Sequence, residues 1–414
     1  MRPYALTALA VCAAVLANPF AASTVQAQSA SNYRLVSTGQ DQCFDLERAM
    51  PCPAKGQPFY GQDAQYLGHK ASYRDNGDGT VLDQVTGLTW AKAPIRSLSH
   101  SEAFDAAKRS RLGGHDDWRV PSIKELYSLI DFRGGFTGTP AKSRPYIDRS
   151  VFEFTYGAEA ELKDAKDGPR PIDVQEWSAT AYIGQTMGRD KAIFGVNFAD
   201  GRIKAYPLKD PMTRMTSDNR LNLRLVRGPA YGTNAFKDMG DGTVLDQATH
   251  LIWQQADDGQ ARAWPDALAY CAGLSLAGRT DWRLPNAKEL QSIIDYSRRP
   301  AIDPVFKLSE PNAYGWTSTT HLEGPPPPPR TGQGPRPFAS QGALAVYIAF
   351  GPAMGFMDMP PGSGQTRFMD VHGAGAQRSD PKRADPAKFP KGFGPQGDDI
   401  RVRNQVRCVA GPLA

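Results

Sequence analysis

Residues 75–90, DNGDGTVLDQVTGLTW, recur at 238–253 as DMGDGTVLDQATHLIW, and residues 117–131, DWRVPSIKELYSLID, recur at 281–295 as DWRLPNAKELQSIID. One residue of length separates the two spans. The chain therefore carries one module twice, and the copies act as an internal alignment. Residues kept by both belong to the framework. Residues present in only one mark where a specific function can sit.

Each copy opens on a Gly/Asp turn, Asn76-Gly77-Asp78-Gly79 or Met239-Gly240-Asp241-Gly242. A strand follows (Thr80 to Asp83; Thr243 to Asp246), then a turn and a strand ending at Trp90 or Trp253, a hairpin with turn chemistry at both ends. The Asp/Gly cluster does not read as a calcium loop, which wants oxygen ligands at alternating positions before its Gly. Arg74 and, in copy two, Met239 and Lys237 occupy those positions.

Two helices come next. Ala103, Phe104 and Ala107 form the apolar face of the first helix in copy one, matched by Ala267, Leu268 and Cys271. The second helix carries capping-box spacing, Ser122 with Glu125 and Asn286 with Glu289, which satisfies otherwise orphaned backbone N–H groups. Leu126, Leu129 and Ile130, or Leu290, Ile293 and Ile294, supply its buried stripe. Before each capped helix stands Asp-Trp-Arg-x-Pro: Asp117, Trp118, Arg119 and Pro121, or Asp281, Trp282, Arg283 and Pro285. With Glu125 and Glu289 it reads as a structural clamp, because it persists between copies whose loops differ.

The copies then diverge and converge again on strands: EWSAT at 176–180 with GWTST at 315–319, Ile193 to Phe198 with Val346 to Phe350, and RLVRGP at 224–229 with RCVAGP at 407–412. Six of the seven tryptophans fall into repeat pairs, and only Trp264 is unmatched, so the indoles are framework.

A length of 414 residues with 40% hydrophobic content has room for two ordinary domains. Gly 40 and Pro 34 point to many loops, and a net charge of +5 is too mild to argue for a nucleic-acid partner. Residues 1–27 read as an export signal: Arg2, an apolar run from Ala5 to Val15, and Val25-Gln26-Ala27 before the cleavage point. No other long apolar run suggests a membrane span. Removal of Cys12 with the signal leaves Cys43, Cys52, Cys271 and Cys408. In an oxidising compartment these suggest two disulfides with three possible connectivities. Cys43 and Cys52 are neighbours outside the repeats, which leaves Cys271 for Cys408. The repeat supports that pairing, because both positions change together in copy one, to Ala107 and Leu225.

The element order predicts an α+β chain of two tandem C-type-lectin-like domains, each a hairpin, two helices and a small antiparallel sheet. Their bounds are 73–229 and 230–414, after a leader at 28–72. DGTVLDQVTGLTW, DWRVPSIKELYSLID, EWSAT and the closing RLVRG resemble the bacterial exported family named after the C-terminal domain of the Legionella collagen-like adhesin (DUF1566). The leader TGQDQCFDLERAMPCPAKGQPFYGQDAQY is similar to one common in that family. The resemblance implies a periplasmic or surface binding module, in some members an adhesin domain for sulfated glycans. It implies no shared catalytic triad, and fold analogy alone does not assign a ligand.

Glu310-Pro311-Asn312 matches one half of a calcium lectin site. It precedes Trp316, on the wrong side of the strand, and no Trp-Asn-Asp follows it, so no metal or other cofactor is expected. The chain lacks HExxH, GxSxG and P-loop motifs, and its six histidines, His69, His100, His115, His250, His321 and His372, are scattered. Both cysteine pairs read as structural, which argues against a formylglycine-generating type of oxygenase.

The differences point to copy two. A run of five prolines, Pro325 to Pro329, and a Gly/Pro-rich stretch from Met359 to about Asp399 have no such counterpart in copy one. Between Gly324 and Arg403 ten cations face six anions. The candidate ligand-facing set is Arg330, Arg336, Arg378, Lys382, Arg383, Lys388, Lys391, Arg401 and Arg403. Such a surface suits sulfate or carboxylate groups of an anionic glycan. The alternative is an envelope protein held through the proline-rich loop.

Overall fold

The computed structural model describes residues 32–157, 171–210, 213, 215–323, 340–359, 363–394 and 396–411. The expected export signal, the five-proline run, Arg330 and Arg336 lie outside the described residues. The fold is mixed α+β, mostly sheet with few helices.

A leader hairpin comes first, β1 (Cys43–Phe44) with β2 (Ala49–Met50), beside the Cys43–Cys52 disulfide. Copy one runs β3 (Tyr73–Asp75), β4 (Thr80–Asp83), β5 (Thr89–Ala91), β6 (Ile95–Leu98), α1 (His100–Arg109), α2 (Ile123–Ser128), β7 (Glu176–Ala181), β8 (Ala192–Asn197), β9 (Arg202–Pro207), β10 (Leu221–Leu223) and β11 (Val226–Arg227). Copy two runs β12 (Phe236–Asp238), β13 (Thr243–Asp246), β14 (Ile252–Gln254), α3 (Trp264–Gly273), α4 (Ala287–Ser292), β15 (Tyr314–His321), β16 (Leu344–Ala349), β17 (Met354–Asp358), β18 (Thr366–Asp370), β19 (Gln377–Pro381) and β20 (Val409–Ala410).

The hairpins follow their turn chemistry. Asp78 Oδ1 accepts from the Thr80 amide at 3.0 Å, and Asp241 Oδ1 from the Thr243 amide at 3.0 Å. Gly79 and Gly242 both take φ of 85°, a left-handed conformation that a side chain would strain. The chain returns to close each hairpin, Val226 opposite Trp90 and Val409 opposite Trp253. These returning strands hold only two residues each, because the chain changes sheets at a buried arginine. Arg224 donates to the carbonyls of Ala91 (3.1 Å), Lys92 (2.7 Å) and Glu153 (3.0 Å). Arg407 does the same at Gln254 (2.6 Å), Gln255 (2.5 Å) and Lys307 (2.9 Å).

Both expected capping boxes form, and Ser99 with Glu102 adds a third at the start of α1. Ala103 and Ala107 are buried, whereas Phe104 is 47% exposed, which corrects its expected place on the apolar face.

The two tandem copies are joined through their sheets. Strands β7, β8 and β9 form an antiparallel meander in copy one, and β15, β16 and β19 repeat it in copy two. The meanders join edge to edge, with Gln377 opposite Ile203, in one eight-stranded sheet ordered β15-β16-β19-β9-β8-β7-β10-β6. One core spans both copies, including Trp90, Leu126 and Phe194 with Trp253, Leu290 and Val346. Side chains alternate across this sheet. Phe194 and Val196 face the shared core while Ile193 faces a core around α1. Val346 and Ile348 likewise face the shared core, and Ala345, Tyr347 and Ala349 face one around α3. With both faces covered, every position of β8 and β16 is buried.

Helices α2 and α4 meet at the centre of this arrangement. Lys124 Nζ donates to the Ser292 carbonyl at 2.6 Å, and Lys288 Nζ to the Ser128 carbonyl at 2.8 Å. Ser292 ends α4 and Ser128 ends α2. Each lysine thus brings donors and positive charge to the other helix's unpaired C-terminal carbonyls.

The leader touches copy one, where the Phe132 amide donates to the Thr38 carbonyl at 2.8 Å, and its later part packs on copy two. The Gln40 side chain pairs with Thr320 like a strand residue, its Nε2 donating to the Thr320 carbonyl and its Oε1 accepting from the Thr320 amide, both at 2.8 Å. Thr319 Oγ1 donates to Asp63 Oδ2 at 2.5 Å, and the Tyr66 ring lies 5.2 Å from the Arg283 guanidinium.

Candidate functional site

The Asp-Trp-Arg-x-Pro motif ties the start of the second helix to a strand of the shared sheet. Arg119 grips Glu125 through two bonds of 2.6 and 2.5 Å, and Arg283 grips Glu289 through two of 2.6 Å. Trp118 Nε1 donates to the Leu112 carbonyl (3.0 Å) and Trp282 Nε1 to the Leu276 carbonyl (3.3 Å). The Pro121 carbonyl accepts from the Ala179 amide (2.7 Å), and that of Pro285 from the Ser318 amide (2.8 Å). Asp117 pairs with Arg227 and Asp281 with Arg279. Each polar group in the motif is held by a neighbour on the same copy, which is the geometry of a clamp.

The cationic stretch of copy two divides into two groups. Arg378, Lys382 and Arg401 face inward, contrary to the expectation that they meet a ligand. Arg378 pairs with Asp398, which also accepts from His372 Nε2 at 2.7 Å. Burial pushes the Asp398 carboxyl up, but Arg378 and His372 outweigh it and hold the group well below the usual carboxylate range. Lys382 is 1% exposed. Its Nζ sits 3.9 Å over the Trp264 ring and donates to Thr320 Oγ1 at 2.8 Å and the Asp45 carbonyl at 3.1 Å. The Arg401 guanidinium stacks 3.5 Å over the Tyr314 ring while its Nε donates to Asp399 at 2.9 Å. Net charge along a sequence cannot separate such internally consumed cations from free ones.

Arg383, Lys388, Lys391 and Arg403 are exposed. The segment that carries them folds against a two-stranded ribbon, β17 with β18. The Phe356 amide donates to the Gly397 carbonyl at 2.8 Å and the Asp399 amide to the Met354 carbonyl at 3.1 Å. Ribbon residues Arg367 and Phe368 extend the same loop region and are exposed, Phe368 by 50%. Phe368 pairs across the ribbon with Phe356, their ring centroids 4.6 Å apart. Arg367 is one of the ten cations of this stretch but stands outside the candidate set, and charge patterning gives no signal for Phe368. The paired GFMD at 355–358 and RFMD at 367–370 were the available signal for a hairpin.

Buried acids and histidines brace these loops. Asp380 accepts from the amides of Arg401 (3.2 Å) and Val402 (2.9 Å) and from Asn404 (3.2 Å), and burial pushes its carboxyl up to about 7. His372 is pulled down to about 4 and His321 to about 3, both chiefly by burial. His321 Nε2 lies 2.8 Å from the Asp200 carbonyl. Glu310 accepts from the Asn312 amide at 2.8 Å, and the Asn312 carbonyl accepts from Arg401. This triplet precedes β15 and belongs to a loop contact. Cys43–Cys52 and Cys271–Cys408 are both disulfides, as expected. Among the described residues no group of three or more His, Cys, Asp or Glu side chains is placed to hold a metal ion. No helix among them is long and apolar enough to cross a membrane.

A family model described as the Lcl C-terminal domain matches residues 79–227 and 242–346, more than half of the chain and part of both copies. The exposed cations and the β17–β18 ribbon lie beyond the second matched segment. No curated protein and no solved structure matches the chain.

Proposed function

We propose, from the premise that the chain belongs to the Lcl C-terminal domain family, that it is a non-catalytic exported binding module with C-type-lectin-like architecture. Its ligand is an anionic glycan, bound on the loop face of copy two. The observation that carries this reading is the set Arg383, Lys388, Lys391 and Arg403, which are exposed and form no ion pair among the described residues. Arg330 and Arg336 belong to the same stretch of sequence and would extend the set. Arginine offers a planar fork to paired sulfate or carboxylate oxygens, and lysine adds point charge. The Phe368 ring, 50% exposed on the β17–β18 ribbon, offers an apolar surface for a sugar face. Two disulfides support an oxidising compartment, the periplasm or the cell surface.

The test is a glycan array read with and without chelator. Retention of sulfated glycans in both conditions is expected, with neutral glycans unbound. Binding to neutral sugars that chelator abolishes would overturn the reading.

A further inference from the structure

The duplication supplies a control that single modules lack: the same surface, once covered and once bare. On copy two the leader covers α3 and the end of β15. Leu268 is 1% exposed and Trp264 fully buried there, with Phe59 packed on their cluster and Gly61 directly against Leu268. The Arg283 side chain is 3% exposed next to Tyr66.

The counterparts on copy one are more exposed. Phe104, which aligns with Leu268, is 47% exposed, and His100, which aligns with Trp264, is only half-buried. Arg119 makes the same bidentate grip as Arg283 but its side chain is 38% exposed. Thr180 accepts from the Ile123 amide at 3.0 Å as Thr319 accepts from the Ala287 amide at 3.0 Å. The Thr319 hydroxyl donates a hydrogen bond to Asp63, whereas that of Thr180 has no acceptor among the described residues. Ala181 stands where Thr320 meets Gln40 and is exposed, and two residues on, Ile183 is 54% exposed. The leader cannot cover both faces, since each chain has one and it is seated on copy two.

We propose that this face of copy one docks an extended segment of a partner polypeptide with the leader's chemistry. The segment places a carboxylate or carboxamide at the Thr180 hydroxyl, hydrogen-bonds the free edge at Ala181, and lays an aromatic side chain over Arg119 and Phe104. Strand-edge pairing supplies affinity in such recognition, and side-chain pockets supply selectivity. The partner is a polypeptide because a polypeptide, the leader, fills the equivalent surface on copy two, and the exposed Phe104 and Ile183 give it apolar side chains to cover.

A disulfide-closed, fluorescently labelled peptide of residues 38–68 of this chain is the probe, titrated into the whole protein. Saturable binding is expected, weakened at least tenfold by Phe104→Asp and unchanged by Phe368→Ser on the distant ribbon. Phe104 is exposed, so its substitution leaves the fold intact, as a matching thermal transition verifies. Absence of saturable binding, or binding that Phe104→Asp leaves unchanged, overturns the proposal. A concentration-dependent dimer lost in Phe104→Asp also overturns it, by making a second copy of this chain the occupant.

Discussion

Lys288 Nζ donates to the main-chain carbonyl of Ser128 at 2.8 Å, so an amine on the second copy closes the last turn of a helix on the first. Lys124 returns the contact to Ser292. Joined sheets and a common core surround this exchange.

The pair predicts an unusual dependence on pH. Burial pulls the Lys288 amine down to about 8, against weaker opposing pulls from Asp131, Asp83 and Asp63. The unfolded value is about 10.4. The native state therefore binds fewer protons than the unfolded chain between about pH 8 and 10.4, and stability rises with pH across that window. Wild type should gain on the order of 2 kcal/mol over Lys288→Met across it in urea denaturation. A constant difference between the two proteins contradicts the assignment.

Arg224 and Glu176 form an ion pair at 3.0 Å with both side chains fully enclosed. Glu176→Ala leaves the guanidinium buried without its counter-charge and should cost about 3–5 kcal/mol. Lys209 and Asp218 pair at 2.6 Å with both side chains about half exposed. Asp218→Ala should change stability by less than about 1 kcal/mol. Equal effects from the two substitutions would show that burial does not set the value of these pairs.

The Cys271–Cys408 bridge spans 137 residues. Copy one shows what the site accepts without it, since Ala107 and Leu225 are 3% and 2% exposed. Cys271→Ala with Cys408→Leu should fold with native near-ultraviolet circular dichroism. Its Tm should fall, because the chain-entropy model gives a loop of this length roughly 5 kcal/mol. Loss of native packing in the double variant would mean that the bridge positions the helix and does more than restrict the unfolded chain.

What the sequence revealed of this fold was local or repeated. Turns at Gly79 and Gly242, the caps at Ser122 and Asn286, and both disulfides could be read because neighbours a few residues apart, or the second copy, carry the signal. The joining of the sheets could not, since Gln377 meets Ile203 across distant segments whose strands look like any others. Lys124 and Lys288 were hidden for a different reason: on a short helix a lysine reads as an exposed residue until its partner helix is in place. Within the candidate site the same limit applied. Arg378 and Arg401 sit among charges of both signs, and only the folded loop shows that Asp398 and Asp399 consume them while Arg383 and Lys388 remain outside. Phe104 shares apolar spacing with Ala103 and Ala107 yet is exposed, whereas its counterpart Leu268 is covered by the leader.

The binding account is tested most directly by retention on immobilised sulfated glycosaminoglycan across a salt gradient. Wild type is compared with the variant Arg383→Ala, Lys388→Ala, Lys391→Ala, Arg403→Ala. Exposed charges are screened beyond about 10 Å at 0.1 M salt, so wild-type affinity should fall roughly tenfold or more as salt rises toward 1 M. The fourfold variant, with its thermal transition unchanged, should elute near the void at low salt. Retention of the variant equal to wild type, or wild-type retention indifferent to salt, would contradict the account.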